Sequence, residues 1–332
     1  MINEPGYGTR RPIVLIVDVE PDGRSVLDRE NGWKGSLDSL QQIHRLRGEL
    51  QDATRAPVTL NWFLRVDPQI AGTWGRADWV AEACPQVIRH IEAHHDYCGI
   101  HVHAWRWNVS RRVWFSDFGD RDWIEECVRT SMSAFENIFG SAPEANRFGD
   151  RWISEDAVAV LRRCGIRYDL TVEPDLPAMP IHDDPHATGW LPDFHGAPRE
   201  PYAPFGNDYM TAAPTPKLDD LWMLPLTTTR VAWRLVRRAP YIVRASRSPN
   251  LVLDHAPVWS HLRRTLDRPS HNPVVMAMRS GDLSNRTFRR NFLRTTAELA
   301  RHPALAYCEF MAADAAIERW LAASRQEPSG RR

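Results

Sequence analysis

Two imidazoles and two carboxylates, each pair spaced i, i+2, are the side chains of this sequence best placed to do chemistry together. His101 and His103 lie in Gly99-Ile100-His101-Val102-His103-Ala104-Trp105-Arg106-Trp107, at the end of a run that reads as a strand. Side chains at i and i+2 of a strand point to one face, so both rings converge. Asp18 and Glu20 repeat the spacing at the end of the apolar run Val14-Leu15-Ile16-Val17. If the two strands are neighbours, their ends bring oxygen and nitrogen ligands around a hard-to-borderline divalent ion. A His-x-His pair alone says little, and its pairing with an acidic strand end is what gives it meaning.

The elements that would position these groups alternate along the chain. Residues 12–17 are a continuous apolar run, as in a strand buried on both faces. From Ser36, a plausible N-cap, Leu37, Leu40, Ile43, Leu46 and Leu50 mark an amphipathic helix. A strand over 57–63 and a helix over 79–93 lead to the histidine strand. A helix over 122–139, a strand over 146–148, a helix capped by Ser154 and ended by Gly165, and a strand over 166–172 continue the rhythm. A Pro- and His-rich stretch, 173–216, lacks periodicity and reads as an insertion or lid. Strands resume at 221–226, 273–278 and 304–308, with helices over 288–301 and 312–323.

Such alternation predicts parallel strands, closed as a barrel or opened as a doubly wound sheet. No Gly-x-Gly-x-x-Gly follows the first strand, which argues against a dinucleotide-binding sheet. In a (β/α) barrel the active site forms at the C-terminal ends of the strands, and Asp18, Glu20, His101, His103, Arg147 and Asp169 sit at such ends. The expected organisation is a flexible N-terminus over 1–11, one barrel domain over 12–323, and a disordered tail over 324–332.

Composition sets outer bounds. Lys+Arg and Asp+Glu both number 42 in 332 residues, so net charge offers no argument for a nucleic acid or an acidic membrane as partner. No apolar run approaches the roughly 18 residues of a membrane span, and the first residues lack a hydrophobic leader segment; a soluble cytoplasmic protein is expected. The five cysteines are widely spaced without a Cys-x-x-Cys pair, a pattern of free thiols in a reducing compartment. Oligomeric state is not indicated.

Taken in order, these segments resemble the polysaccharide deacetylase superfamily, the NodB-homology hydrolases related to carbohydrate esterase family four, from about Ile13 to Ala316. Asp18-Val19-Glu20-Pro21-Asp22-Gly23 is similar to the Asp-x-Glu form of the first motif, and Gly99 to Trp105 to a His-x-His-x-Trp form of the second. Arg147-Phe148-Gly149-Asp150-Arg151-Trp152 resembles the third, an Arg-rich strand end. Tyr168-Asp169 and Leu224-Pro225-Leu226-Thr227 resemble later segments. The resemblance implies a (β/α)7-type distorted barrel and metal-dependent hydrolysis of an N-acyl group from a sugar or glycan precursor. It implies Asp18 as general base, Arg147 as the group that positions it, and Glu20 or Asp22 with His101 and His103 as ligands of a divalent metal, Zn2+ first. Of the two carboxylates Glu20 is the expected ligand, and Asp22, Trp105, Trp107 and Asp169 are expected to meet substrate.

The last motif departs from the family. Where its members carry a protonating His, this sequence has Met278-Arg279-Ser280-Gly281-Asp282-Leu283. A guanidinium stays charged and cannot usefully release a proton to a departing amine, though it can steady negative charge or grip a carboxylate or phosphate. Either another group, with His103, His255 and His271 as candidates, supplies the acid, or the protein binds a glycan precursor or partner without turnover. A non-sugar C–N hydrolase on the same barrel is a further alternative.

Trp105, Trp107 and Trp114 suit stacking on a sugar, with core packing as the plainer explanation. Arg230, Arg234, Arg237, Arg238, Arg244 and Arg247 form a basic run that reads as a solvated face or as a seat for the diphosphate of a nucleotide- or lipid-linked sugar. His182, His186 and His195 are too irregularly spaced to predict a second metal site.

Overall fold

The first apolar run forms the strand on which the sheet is centred, β1 (Arg11–Val19), and its side chains divide between two cores. Ile13, Leu15, Val17 and Val19 pack outward under the helices. Val14 and Ile16 point inward with Phe63, Ala145, Tyr168, Leu170, Trp222 and Val275. This period of two explains why the strand shows no polar face until its end. The computed structural model describes residues 10–23, 32–181, 189–228, 251–254 and 258–326.

In chain order the elements begin with β1, α1 (Lys34–Thr54), β2 (Asn61–Arg65), α2 (Pro68–Trp74), α3 (Val80–Ala83), α4 (Pro85–His94) and β3 (Tyr97–Val102). A hairpin of β4 (Trp105–Asn108) and β5 (Val113–Ser116) precedes α5 (Arg121–Phe139), β6 (Ala145–Phe148), α6 (Glu155–Arg163) and β7 (Tyr168–Asp169). Stretch 173–216 holds two small hairpins, β8 (Met179–Pro180) with β9 (Trp190–Leu191) and β10 (Pro204–Phe205) with β11 (Asp208–Ala212). The chain then supplies β12 (Trp222–Met223), α7 (Trp259–Leu266), β13 (Val274–Arg279), α8 (Arg286–Ala300), β14 (Cys308–Phe310) and α9 (Ala313–Gln326). Among the described residues the first element is β1 and the last α9.

Seven parallel strands curl in the order β12-β7-β6-β3-β2-β1-β13, and β14 pairs with the start of β1. The free edge of β13 turns back toward β12. Thr227 N donates to Val275 O at 2.9 Å, and Leu253 N donates to Ala277 O at 2.9 Å. The architecture is the distorted (β/α)7-type barrel that the resemblance implies.

Local details differ where tertiary contacts outweigh sequence pattern. Ser36 is not the N-cap of α1, because Asp22 Oδ1 accepts from Gly35 N at 2.8 Å and allows the helix to start earlier, at Lys34. Residues 303–307 form a 3-10 turn, and the strand expected at 304–308 begins only at Cys308. The strand expected over 57–63 is shifted to 61–65, and the one over 166–172 shortens to Tyr168–Asp169. His302 caps the 3-10 turn through Ala304 N, which diverts the backbone before β14 can start. The helix expected over 79–93 is broken into α3 and α4 at Cys84, with Pro85 starting the second piece. Among the described residues no helix is long and apolar enough to cross a membrane. All five cysteines are free.

Candidate metal centre

The inward series of each strand turns polar at the C-terminal end of the barrel. On β1 it runs Val14, Ile16, Asp18 and on to Glu20; on β3, Gly99, His101 and then His103; on β6, Ala145, Arg147; on β13, Val275, Ala277, Arg279. Parallel register sets Asp18 beside Phe63 on one side and Arg279 on the other, and His101 beside Arg147. The sheet therefore delivers these side chains to one mouth.

Glu20, His101 and His103 form a triangle. His101 Nε2 lies 3.1 Å from His103 Nε2, and Glu20 Oε2 lies 3.8 Å and 3.6 Å from those two nitrogens. Their other ring nitrogens are occupied. His101 Nδ1 lies 2.8 Å from the carbonyl of Arg147, and His103 Nδ1 lies 3.1 Å from Asp150 Oδ2. A carbonyl or a carboxylate only accepts, so each Nδ1 carries the proton and each Nε2 of a neutral ring keeps its lone pair. Three electron pairs then face one small space, an arrangement that repels unless a cation lies between them. Outer partners that fix the tautomer are also the usual support of metal-ligating histidines. The residues present fit a divalent ion of the zinc class.

Electrostatics agree with the geometry. Burial by itself would raise the Glu20 carboxyl, but the hydrogen bond with His103 and the charges of His101, His103 and Arg279 hold it far below its usual range. Burial pushes His101 down to about 4. Burial and Arg65 oppose a charge on His103, yet Asp150 and Glu20 outweigh them and raise it. A proton and a divalent ion are thus competitors for the His103 lone pair.

Asp18 stands next to this triangle. Its Oδ2 accepts from Arg147 Nε at 3.1 Å, and its buried Oδ1, 3.9 Å from His101 Nδ1, makes no hydrogen bond among the described residues. Arg147 is anchored in turn by donating to Leu170 O at 2.5 Å. Arg279 Nη2 pairs with Asp282 Oδ2 at 2.5 Å, and its Nε lies 4.0 Å from Glu20 Oε1. Beside it burial and the Asp282 charge push the fully buried Asp254 up to about 8, against the pull of Arg279.

The other expected site residues are placed elsewhere. Asp22 braces the start of α1. Asp169 is out of phase with the inward Tyr168 and Leu170; it accepts from Asn146 Nδ2 at 2.7 Å and Thr171 Oγ1 at 3.0 Å, and burial raises it to about 6. Trp105 is buried and donates its indole N–H to Asp150 Oδ2 at 2.8 Å. Trp107 packs edge-on to Trp114, centroids 5.2 Å apart, on the β4–β5 hairpin. Neither acidic residue nor Trp107 reaches the triangle. Of the candidate acids, His103 is held at Nδ1 by Asp150 and turns its Nε2 to the proposed ion, His271 precedes β13 at the opposite end of the barrel, and His255 lies outside the described residues. His182, His186 and the basic run from Arg230 to Arg247 also lie outside them, while His195 pairs with Asp193 on the surface.

Four groups around the site were not assigned a role from sequence. Asp150 supports His103 and Trp105 from a left-handed backbone at φ 55°. Asp67 Oδ2 accepts from the His103 backbone N–H at 3.0 Å and from Arg65 Nε at 3.0 Å. Arg65 reaches Glu20 at 3.8 Å. Gly149 lies so close to the His103 ring that a Cβ there would overlap it. Asp150 and Gly149 fall inside the Arg147–Trp152 segment, so their position beside the recognised arginine was the available signal.

No family model and no curated protein matches the chain. Among solved structures it is similar to a protein described as a polysaccharide deacetylase from Mycobacterium smegmatis, at 15% identity and TM-score 0.54, covering 99% of this chain and 96% of that one. It is also similar to a glycoside hydrolase/deacetylase, as that protein is described, from Parabacteroides distasonis, at 14% identity and TM-score 0.55, covering 96% of this chain and 73% of that one. The chain has the polysaccharide deacetylase fold.

Proposed function

We propose that this protein is a metal-dependent hydrolase of the polysaccharide deacetylase type, removing an N-acetyl or related acyl group from a cytosolic sugar or glycan precursor. The observation that carries the reading is the convergence of Glu20 Oε2 and two histidine lone pairs next to a buried, arginine-held aspartate. Five free cysteines suit a reducing compartment.

When bound by Glu20, His101 and His103, a divalent ion such as Zn2+ would polarise the acyl carbonyl and acidify water. Asp18 takes the proton from water as the water oxygen attacks the acyl carbon, its Oδ1 free of hydrogen bonds among the described residues and its Oδ2 fixed by Arg147. Arg279 steadies negative charge on the acyl oxygen or on an anionic substituent of the substrate. As the C–N bond breaks the departing amine takes up a proton, and the buried Asp254, whose carboxyl is raised well above its usual range beside Arg279 and Asp282, is the group that stores it. Asp254 stands in for the histidine that position 279 lacks.

The test is acetate release from acetylated amino sugars and their nucleotide-linked forms by the zinc-loaded chain, with bound zinc measured by elemental analysis. Asp18→Asn and His101→Ala are each expected to abolish turnover, and retained turnover in both overturns the reading. Arg279 lies beside Glu20, a position that also favours a second reading, a glycan-precursor binder without turnover. Hydrolysis by Arg279→His and none by the natural chain would establish that second reading.

A further inference from the structure

We propose that His44, His90 and His94 form a second metal site, for an ion of the zinc class, that clamps α1 to α4 on the outside of the barrel. His90 and His94 are spaced i, i+4 on α4 and therefore share a face. His44 faces them from α1. The ring centroids are 4.4 Å apart for His90 and His94, and 6.0 Å and 6.3 Å from His44 to each. One nitrogen of each ring falls within 4.8 Å of the other two. Small rotations of the exposed His44 and His94 rings close that spread to the separation of about 3.3 Å that nitrogens about 2.0 Å from a tetrahedral ion keep.

The site is partly built in advance. His90 packs edge-on against Trp62, centroids 5.7 Å apart, so its ring is held by the outer core. The nearby Arg47 guanidinium has its charge met by Asp96, which also accepts from Trp62 Nε1 at 2.8 Å and from Leu60 N at 3.0 Å. Arg47 Nη2 lies 3.5 Å from His90 Nε2, the outer limit of a hydrogen bond, and yields that nitrogen readily to a cation. An all-imidazole set suits Zn2+, Ni2+ or Cu2+ and not Mg2+ or Ca2+. Three histidines that simply meet at a helix junction are the competing explanation. Only ion binding separates the two.

The chelator-stripped full chain is titrated with Zn2+ alone and the ion counted after desalting, beside His44→Ala/His94→Ala, whose exposed side chains can be removed without loss of packing. The natural chain is expected to hold two zinc ions and the double variant one, with loss of about 4 °C of the zinc-induced rise in Tm. Equal zinc content in the two proteins, or none in the natural chain, overturns the proposal. One zinc that survives His101→Ala but not the double substitution upholds this site and removes the catalytic one.

Discussion

Asp18 and Arg279 are register partners on the adjacent parallel strands β1 and β13, which sets an ionisable base beside a guanidinium that keeps its charge. Arg279 also lies 4.0 Å from the Glu20 carboxylate, where it competes with a divalent ion for the same negative charge. Arg279→Ala is therefore expected to tighten Zn2+ binding about tenfold while slowing hydrolysis about 100-fold. Competition against a chromophoric chelator and initial rates on one acetylated sugar check the two effects separately.

Gly149 has no room for a side chain, because a methyl group there would overlap the His103 ring. Gly149→Ala should displace that ring, weaken zinc binding more than about tenfold and destabilise the fold by about 1–3 kcal/mol. Isothermal titration and urea unfolding measure both. Unchanged zinc affinity would show that His103 is not a ligand.

Asp150 fixes the His103 tautomer and holds the Trp105 indole through the same oxygen. Asp150→Asn keeps the shape and an acceptor but removes the charge, so zinc affinity should fall about 10- to 100-fold with near-wild-type far-UV dichroism. A fall in stability without a fall in affinity would reduce Asp150 to a packing role.

Asp254 gives a pH signature. Its folded-state carboxyl, pushed up to about 8 by burial, lies above the usual unfolded value of about 3.9. The stability that its protonated form contributes is complete below about pH 4 and is lost as pH rises through about 8. Asp254→Asn imitates the protonated acid, so at pH 7 it should raise stability, on the order of 2 kcal/mol, while turnover collapses. Denaturant midpoints from pH 4 to 9 should be flatter for the variant than for the natural chain. For the natural enzyme kcat should decline as pH climbs past about 8.

The framework was legible because β1 is a long apolar run and because α5, α6 and α8 carry regular stripes. The proposed metal ligands were legible because strand spacing alone puts His101 with His103 and Asp18 with Glu20. Their supports were not, because each comes from another part of the chain: Asp150 stands 47 residues from His103, and Asp67 36 residues before it. The start of α1 was misjudged for the same reason, Asp22 capping it from 13 residues away. Asp169 was picked out for its place at a strand end, but its phase in β7 turns it from the mouth.

The placing of β1 between β2 and β13 has a consequence for biosynthesis. The strand that carries Asp18 and leads to Glu20 finds its partner on one edge only in β13, more than 250 residues later, and the start of its other edge is covered only by β14 beyond that. During translation an almost wholly apolar segment must wait, half-paired, until β13 and β14 have left the ribosome. Slow maturation and a need for chaperone protection follow from that order of events, and a chain cut short before β13 would emerge with both histidines and both carboxylates yet without the wall that holds them in place.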